Sequence, residues 1–174
     1  MASFHILVLE PTNPYAATKA GAEFLAKSYQ RSFGMPIVIT RGNNVYGPHQ
    51  YPEKLIPKFI NQLSRGRKVT LHGDGSNKRN FLYVEDVARA FEIILFKGKI
   101  GLIYNIGGSN ERRNIDVARD LIKLSGLATD SSEDTMITFV ADRVFNDFRY
   151  HINSDRLISL GWKEQVTWEE GISK

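Results

Sequence analysis

Short apolar or β-branched runs alternate with segments of helical periodicity along almost the whole chain, and that alternation leaves few folds open to it. Ile37 to Thr40, Val69 to His72, Ile103 to Ile106 and Ile137 to Val140 each have the length and bounding turn residues of a short strand. The first, between Gly34-Met35-Pro36 and Gly42, reads as a buried strand. Helical segments separate the strands. Tyr15 to Phe33 opens on Thr12-Asn13-Pro14, Leu55 to Arg65 and Val84 to Phe96 follow, and Asn114 to Leu124 stops at Gly126. Such alternation predicts an α/β fold. Asn43 to Pro48 and Gly73 to Asn77 read as loops from their turn residues, and Ala128 to Thr135 as a polar, acidic surface loop. The tail reads as a short helix, then Gly161-Trp162, then an amphipathic turn. Helical spacing assigns Phe91, Ile94, Leu95, Leu121 and Leu124 to the core, and makes Asp86 a cap or salt-bridge partner within its own helix.

Bulk properties narrow the function classes. Of 174 residues, 23 are Lys or Arg and 19 Asp or Glu, a formal balance of +4 without any basic run, so no nucleic-acid partner is expected. The absence of cysteine excludes disulfides, thiolate zinc sites and cysteine nucleophiles; no metal site is expected, and a reducing compartment suits the chain. No apolar run approaches a membrane span, and the first ten residues lack the charged start and cleavage pattern of a signal peptide. A soluble, cytoplasmic protein with no membrane partner is expected.

The sharpest chemical signal is Tyr15-Ala16-Ala17-Thr18-Lys19, which sets a phenol and an ammonium one helical turn apart on one face. A neighbouring cation makes the phenol easier to ionise, and a tyrosinate can take the proton of a secondary alcohol as hydride leaves the carbon. The competing reading is an exposed Tyr packed on a Lys stem. A dinucleotide fold also needs a glycine-rich turn between a strand and a helix to cradle the pyrophosphate. No such turn occurs; Gly107-Gly108 follows a strand but lacks the third glycine.

Several ordered motifs then carry a resemblance. Asn13-Pro14-Tyr15-x-x-x-Lys19, Arg41-Gly42-Asn43-Asn44-Val45-Tyr46-Gly47-Pro48 and Pro52-Glu53-Lys54-Leu55-Ile56-Pro57 resemble the extended short-chain dehydrogenases that dehydrate nucleotide-activated glucose. Arg79 to Ala88, Tyr104 to Gly107 and Ala141-Asp142-Arg143…Asp147-x-Arg149-Tyr150 continue the match in order. The likeness, within the NAD-dependent epimerase/dehydratase family, runs from Pro11 to the end. It is strongest to dTDP-glucose 4,6-dehydratases and to the dehydratase part of plant-type UDP-rhamnose synthases. It implies the carboxyl-terminal part of a Rossmann-type parallel sheet plus a smaller sugar-nucleotide-binding α/β domain. Residues 1–10 form a non-matching segment, and residues 11–174 correspond to the carboxyl-terminal half of an NAD(P)-binding domain.

The resemblance also implies roles. Tyr15 would be the active-site base, Lys19 would hold the nicotinamide ribose of NAD, and Val45 would lie beside that cofactor. Asn44 would contact the diphosphate; Lys54, Leu55, Thr70, Leu71 and His72 would line the base and ribose pocket. Arg79 and Arg143 would grip the diphosphate, a task that forked guanidinium donors suit. Asn114 would bond the nucleotide, and Asp142 to Asn146 would close over it. Arg79 also reads as a surface ion-pair partner, Asn44 as a turn residue, Asn114 as a helix N-cap and His72 as a polar strand end. Val144 stands where the family usually has proline, and Asn146 where some members have histidine. The family's dehydrating Thr/Ser and Asp-Glu pair belong to a half preceding Tyr15, so a truncated form with impaired or no activity alone is expected. Other readings are a sugar-nucleotide-binding or dimerising remnant, and an epimerase or decarboxylase of the same superfamily. The intact family implies a homodimer packed through the Tyr15 helix.

Overall fold

The computed structural model describes residues 11, 13–128, 132–142 and 152–174. The expected non-matching segment 1–10 lies outside them, as do Arg143 and Asn146. In chain order the elements are α1 (Pro14–Phe33), β1 (Ile39–Gly42), β2 (Asn44–Tyr46), α2 (Leu55–Leu63), β3 (Val69–His72), β4 (Lys78–Tyr83) and α3 (Val84–Lys97). Then come β5 (Ile103–Ile106), β6 (Asn110–Arg113), α4 (Asn114–Ser125), a 3-10 turn (Glu133–Met136), β7 (Ile137–Val140), α5 (Asp155–Ile158) and α6 (Trp168–Ser173). The class is α/β, as the alternation predicts.

One unit comprises residues 1–39 and 99–103. Its helix α1 starts where the sequence says it should. Asn13 caps it by accepting the Ala16 amide at 2.9 Å, Pro14 occupies the first turn, and Gly34 ends it in the left-handed conformation. None of its residues is buried, and Phe24, Leu25, Tyr29 and Phe33 are exposed. The strand expected at Ile37 to Thr40 begins two residues later, at Ile39, and is half-buried rather than buried. The reason is local: the Ile37 amide turns back to the Met35 carbonyl, and the ladder starts where the Ile39 amide reaches Leu102.

The second unit comprises residues 40–98 and 104–174. A three-stranded sheet runs in the order β2-β4-β6, with β2 parallel and β6 antiparallel to β4; β3 and β7 form a separate parallel pair. Side chains of α2 (Ile56, Phe59, Leu63), β3 and α4 (Val117, Ala118, Leu121, Ile122) form one core with an aromatic cluster of Tyr46, Phe81, Tyr83 and Trp168. Three strands differ from the sequence expectation. β2 lies inside the expected loop 43–48, while β4 and β6 are too polar to show an apolar alternation. Their partners make them strands: Asn44 to Tyr46 pair with Phe81 to Tyr83, and Lys78 to Phe81 with Arg113 to Asn110. Part of the expected loop 128–135 is the 3-10 turn, held to α4 by a bidentate Arg119–Asp134 pair.

Core assignments need correction on two helices. Ile94 and Leu121 are buried, but Phe91, Leu95 and Leu124 are exposed. In α3 the inward stripe is Asp86, Ala90 and Ile94, each four residues apart, so the apolar residues one position further turn outward. Asp86 does pair with Arg89 in its own helix, as expected, but it reaches further. Its carboxylate, fully buried, accepts the amides of Gln165 and Val166 at 2.9 and 3.0 Å, while its carbonyl accepts Trp162 Nε1 at 3.0 Å.

Asp86→Ala therefore strands the buried Val166 amide, the part-buried Gln165 amide and the half-buried Arg89, and should destabilise the protein by about 3 kcal/mol in urea unfolding, with Asp86→Asn losing less. Acid should weaken the fold as well. Side-chain bonds from Arg113 and Arg119 hold Asp116 and Asp134 below the ordinary carboxylate range, and the Thr167 amide does the same for Glu170. Because their native values are depressed, the stability they contribute is complete above the ordinary range near pH 4 and drains as pH falls through the native values. Urea midpoints measured from pH 6 to pH 3 should decline, and Asp134→Asn should flatten part of that slope.

Candidate functional site

A cavity of about 760 Å³ opens in the second unit among β2, the start of α2, β3, β4 and the first residue of α4. Its volume suits a bound small molecule, for which roughly 300–1,000 Å³ is usual. Each wall has a local cause. Gln50 Nε2 donates to the Val45 carbonyl at 2.6 Å, holding the loop after β2 beside that strand. Gln62, one turn beyond Lys58 on α2, grips β3 with both ends of its amide: Oε1 accepts the Thr70 amide at 3.3 Å and Nε2 donates to Thr70 Oγ1 at 3.1 Å. Helix α4 has no side-chain cap; its Asn114 and Ile115 amides donate instead to the Asn77 and Gly75 carbonyls, each at 3.0 Å. The turn 73–77 thereby sets Asn114 against the cavity, at the first helical position rather than at the N-cap.

Two glycines in that turn are required by space as well as by backbone. Gly75 has φ +73°, and a Cβ there would meet the Ile115 Cβ at 3.0 Å and Leu71 Cδ1 at 3.1 Å. Gly73 has φ +59°, and its Cβ would meet the Asp142 carboxylate at 3.0 Å. Asp142 thus lies directly over the turn that follows His72, whose Nδ1 is 3.2 Å from the Ala141 carbonyl.

Nine of the fourteen residues singled out in the sequence line this one cavity: Asn44, Val45, Lys54, Leu55, Thr70, Leu71, His72, Arg79 and Asn114. Arg79 extends from β4 with Nη1 donating to the Lys78 carbonyl at 2.7 Å. Lys54 is largely exposed beside Glu53, 3.7 Å away. Tyr15 and Lys19 lie in the first unit, on the first turns of α1, with Lys19 Nζ over the Tyr15 ring at 5.5 Å from its centroid. Both the functional pairing and the simple packing of Tyr on a Lys stem predict that contact. Gly107-Gly108 connects β5 to β6, strand to strand, and its first amide donates to Ser154 Oγ at 2.8 Å, so it is no phosphate cradle.

Sequence reading missed Asn43, Gln50, Glu53, Lys58 and Phe81 as lining residues. Asn43 is 9 % exposed with neither amide atom hydrogen-bonded, and Gln50 Oε1 and Asn114 Oδ1 are likewise buried without a partner. Such groups cost free energy unless something bonds them, which marks this wall as built for polar contacts. The available signals were the doubled Asn43-Asn44 and the four-residue spacing of Lys54 and Lys58. Among the described residues no cluster of His, Asp and Glu could hold a metal ion, and no helix is long and apolar enough to cross a membrane. Tyr46, buried in the aromatic cluster, has its phenol pushed well above the ordinary value by that burial, so it keeps its proton.

An α/β frame with lysine, arginine and amide side chains around one cavity is what the residues build. The chain belongs to the NAD dependent epimerase/dehydratase family, whose sequence profile residues 4–107 match. It is 57% identical over 166 residues to a trifunctional UDP-glucose 4,6-dehydratase/UDP-4-keto-6-deoxy-D-glucose 3,5-epimerase/UDP-4-keto-L-rhamnose-reductase of Arabidopsis thaliana, covering 95% of this chain and 24% of that protein. It is 49% identical to the dTDP-D-glucose 4,6-dehydratase of Homo sapiens, covering 95% of this chain and 47% of that one. The chain therefore spans about a quarter of the plant protein and about half of the dTDP-sugar enzyme. A dTDP-glucose 4,6-dehydratase of Streptomyces venezuelae, solved with NAD bound, superposes with TM-score 0.87 at 39% identity over 95% of this chain and 50% of that one. A UDP-glucuronic acid 4-epimerase of Bacillus cereus gives TM-score 0.87 at 28% identity, covering 99% and 54%.

The turn's role is testable. Gly75→Ala should cost about 1–3 kcal/mol in urea unfolding through overpacking on Ile115 and Leu71. A change below about 0.5 kcal/mol would mean that the turn does not constrain α4.

Proposed function

We propose that this chain supplies the sugar-nucleotide pocket and the Tyr–Lys pair of a nucleotide-sugar 4,6-dehydratase, acting on dTDP- or UDP-glucose to give the 4-keto-6-deoxy sugar. The observation that carries this reading is the convergence of nine assigned residues on one cavity with unbonded amides and two lysines on its wall. Identity supports dehydration over epimerisation: the dehydratase relatives stand at 39–57%, and the 4-epimerase, though equal in TM-score, at 28%. In this reading residues 11–174 are the carboxyl-terminal half of the NAD(P)-binding domain.

Arg79 carries out the diphosphate grip with forked donors, and Asn44 adds an amide. Thr70, Leu71 and His72 bound the base and ribose, Asn114 bonds the nucleotide, and Asp142, over the turn that follows His72, stands at its edge. Tyr15 and Lys19 fit a nicotinamide ribose: the ammonium has three donors for a diol, and the phenol stands on the same helix face. NAD, when bound, accepts and returns the hydride. The protein's own task at that step is protonic. Tyr15 Oη takes the proton of the sugar's 4-hydroxyl, and the charge of Lys19 favours the anion so formed. We further infer a cytoplasmic homodimer joined through the exposed apolar residues of α1, without nucleic-acid or membrane partners.

Calorimetric titration of the purified chain with UDP-glucose and dTDP-glucose is the direct test. Binding of either in the micromolar to millimolar range is expected; absence of both sinks the proposal. Arg79→Met should weaken binding about 10–100-fold, the worth of a charged hydrogen bond lost. Tyr15→Phe should leave that affinity within about twofold, since the phenol acts on the proton and not on the nucleotide.

A further inference from the structure

Helix α2 sends two lysines to the cavity, Lys54 and Lys58, one turn apart and joined by the Lys58 amide to Lys54 carbonyl bond at 2.9 Å. They differ in situation. Lys54 is exposed and has the Glu53 carboxylate at 3.7 Å. Lys58 is half-buried and, among the described residues, has neither an ion pair nor a hydrogen bond for its ammonium. A lysine whose stem is half-buried on a cavity wall and whose ammonium is unpaired holds three donors ready for an oxygen acceptor that enters the cavity.

Its place on the helix says which acceptor. Lys58 precedes Gln62 by one turn, and Gln62 is bonded at both ends to Thr70 of β3. Lys58 therefore belongs to the β3 side of the cavity, whereas Arg79 comes from β4. A guanidinium fork matches a diphosphate; a compact, three-donor ammonium matches single carbonyl oxygens. Resting on the nucleotide reading of the cavity, we propose that Lys58 is a base-selecting residue. It donates to a ring carbonyl oxygen of a pyrimidine base, which uracil and thymine offer and adenine lacks. The pocket then prefers pyrimidine over adenine nucleotides through this one side chain.

The test is calorimetry of the full chain with UDP, dTDP, ADP and inorganic pyrophosphate, for wild type, Lys58→Met and Lys58→Arg. Met keeps the unbranched apolar stem and removes the charge, and a urea midpoint unchanged from wild type certifies the fold. The expected result is an approximately tenfold loss of UDP and dTDP affinity in Lys58→Met, with ADP and pyrophosphate unaffected, so that the pyrimidine preference collapses. Lys58→Arg should restore part of that preference. A loss shared by pyrophosphate would make Lys58 a phosphate contact and overturn the base assignment, as would unchanged UDP affinity. If wild type binds none of the four, the nucleotide reading itself falls; if it binds UDP and only the Lys58 effect is missing, this inference alone does.

Discussion

A buried carboxylate holds the second unit in register. Asp86 sits in the first turn of α3, where the helix dipole favours an anion, and its oxygens take two amides from the 162–166 segment together with Arg89. Burying a charge is tolerable only when its acceptor sites are filled, and here they are. The consequence runs outward in both directions. Upstream, α3 continues β4 without a break, so fixing Asp86 fixes the strand that carries Arg79. Downstream, the 162–166 segment leads into α6, whose Trp168 closes the aromatic cluster over Tyr46 and Phe81 and bonds Asp120 of α4 at 2.7 Å. Cavity-lining and structural residues thus share one anchor.

The cavity is supported by backbone more than by side-chain charge pairs. Carbonyls of a glycine-containing turn take the first amides of α4, a glutamine ties α2 to β3, and another glutamine ties the loop after β2 to its strand. Amide contacts of this kind hold geometry at any ordinary pH. The arrangement also leaves three amide groups buried with unused bonding capacity. A site so arranged is polar before anything enters it, the condition under which a ligand loses little by exchanging water for protein.

How much of this could be read in the residues depends on the kind of signal. Helices α1, α2, α3 and α4 announced themselves because periodicity, proline and glycine all act locally; Gly34 and Gly126 end their helices in the left-handed conformation as expected. β4 and β6 did not, because Lys78-Arg79-Asn80 and Asn110-Glu111-Arg112-Arg113 gain their strand character from each other across the ladder. Spacing likewise tells which residues share a helix face but not which face has a neighbour, and so Phe91 and Leu95 were assigned inward. On the site, ordered motifs identified the residues that converge on the cavity. Lys58 and Asn43 show only weak local signals, the spacing from Lys54 and the doubled asparagine, since what distinguishes them is the lack of a partner, a property no local pattern encodes.

The absence of any connecting loop between β4 and α3, and again between β6 and α4, constrains how this chain can vary. At each junction the strand's last residue is also the helix's cap, Tyr83 in one case and Arg113 in the other. One residue inserted between Arg79 and Asp86 would turn every later strand side chain to the opposite face, or rotate the carboxylate about a third of a turn from the amides it serves. Changes of length are therefore confined to stretches such as 48–53 and 126–128, while the two strand–helix junctions can change composition but not count.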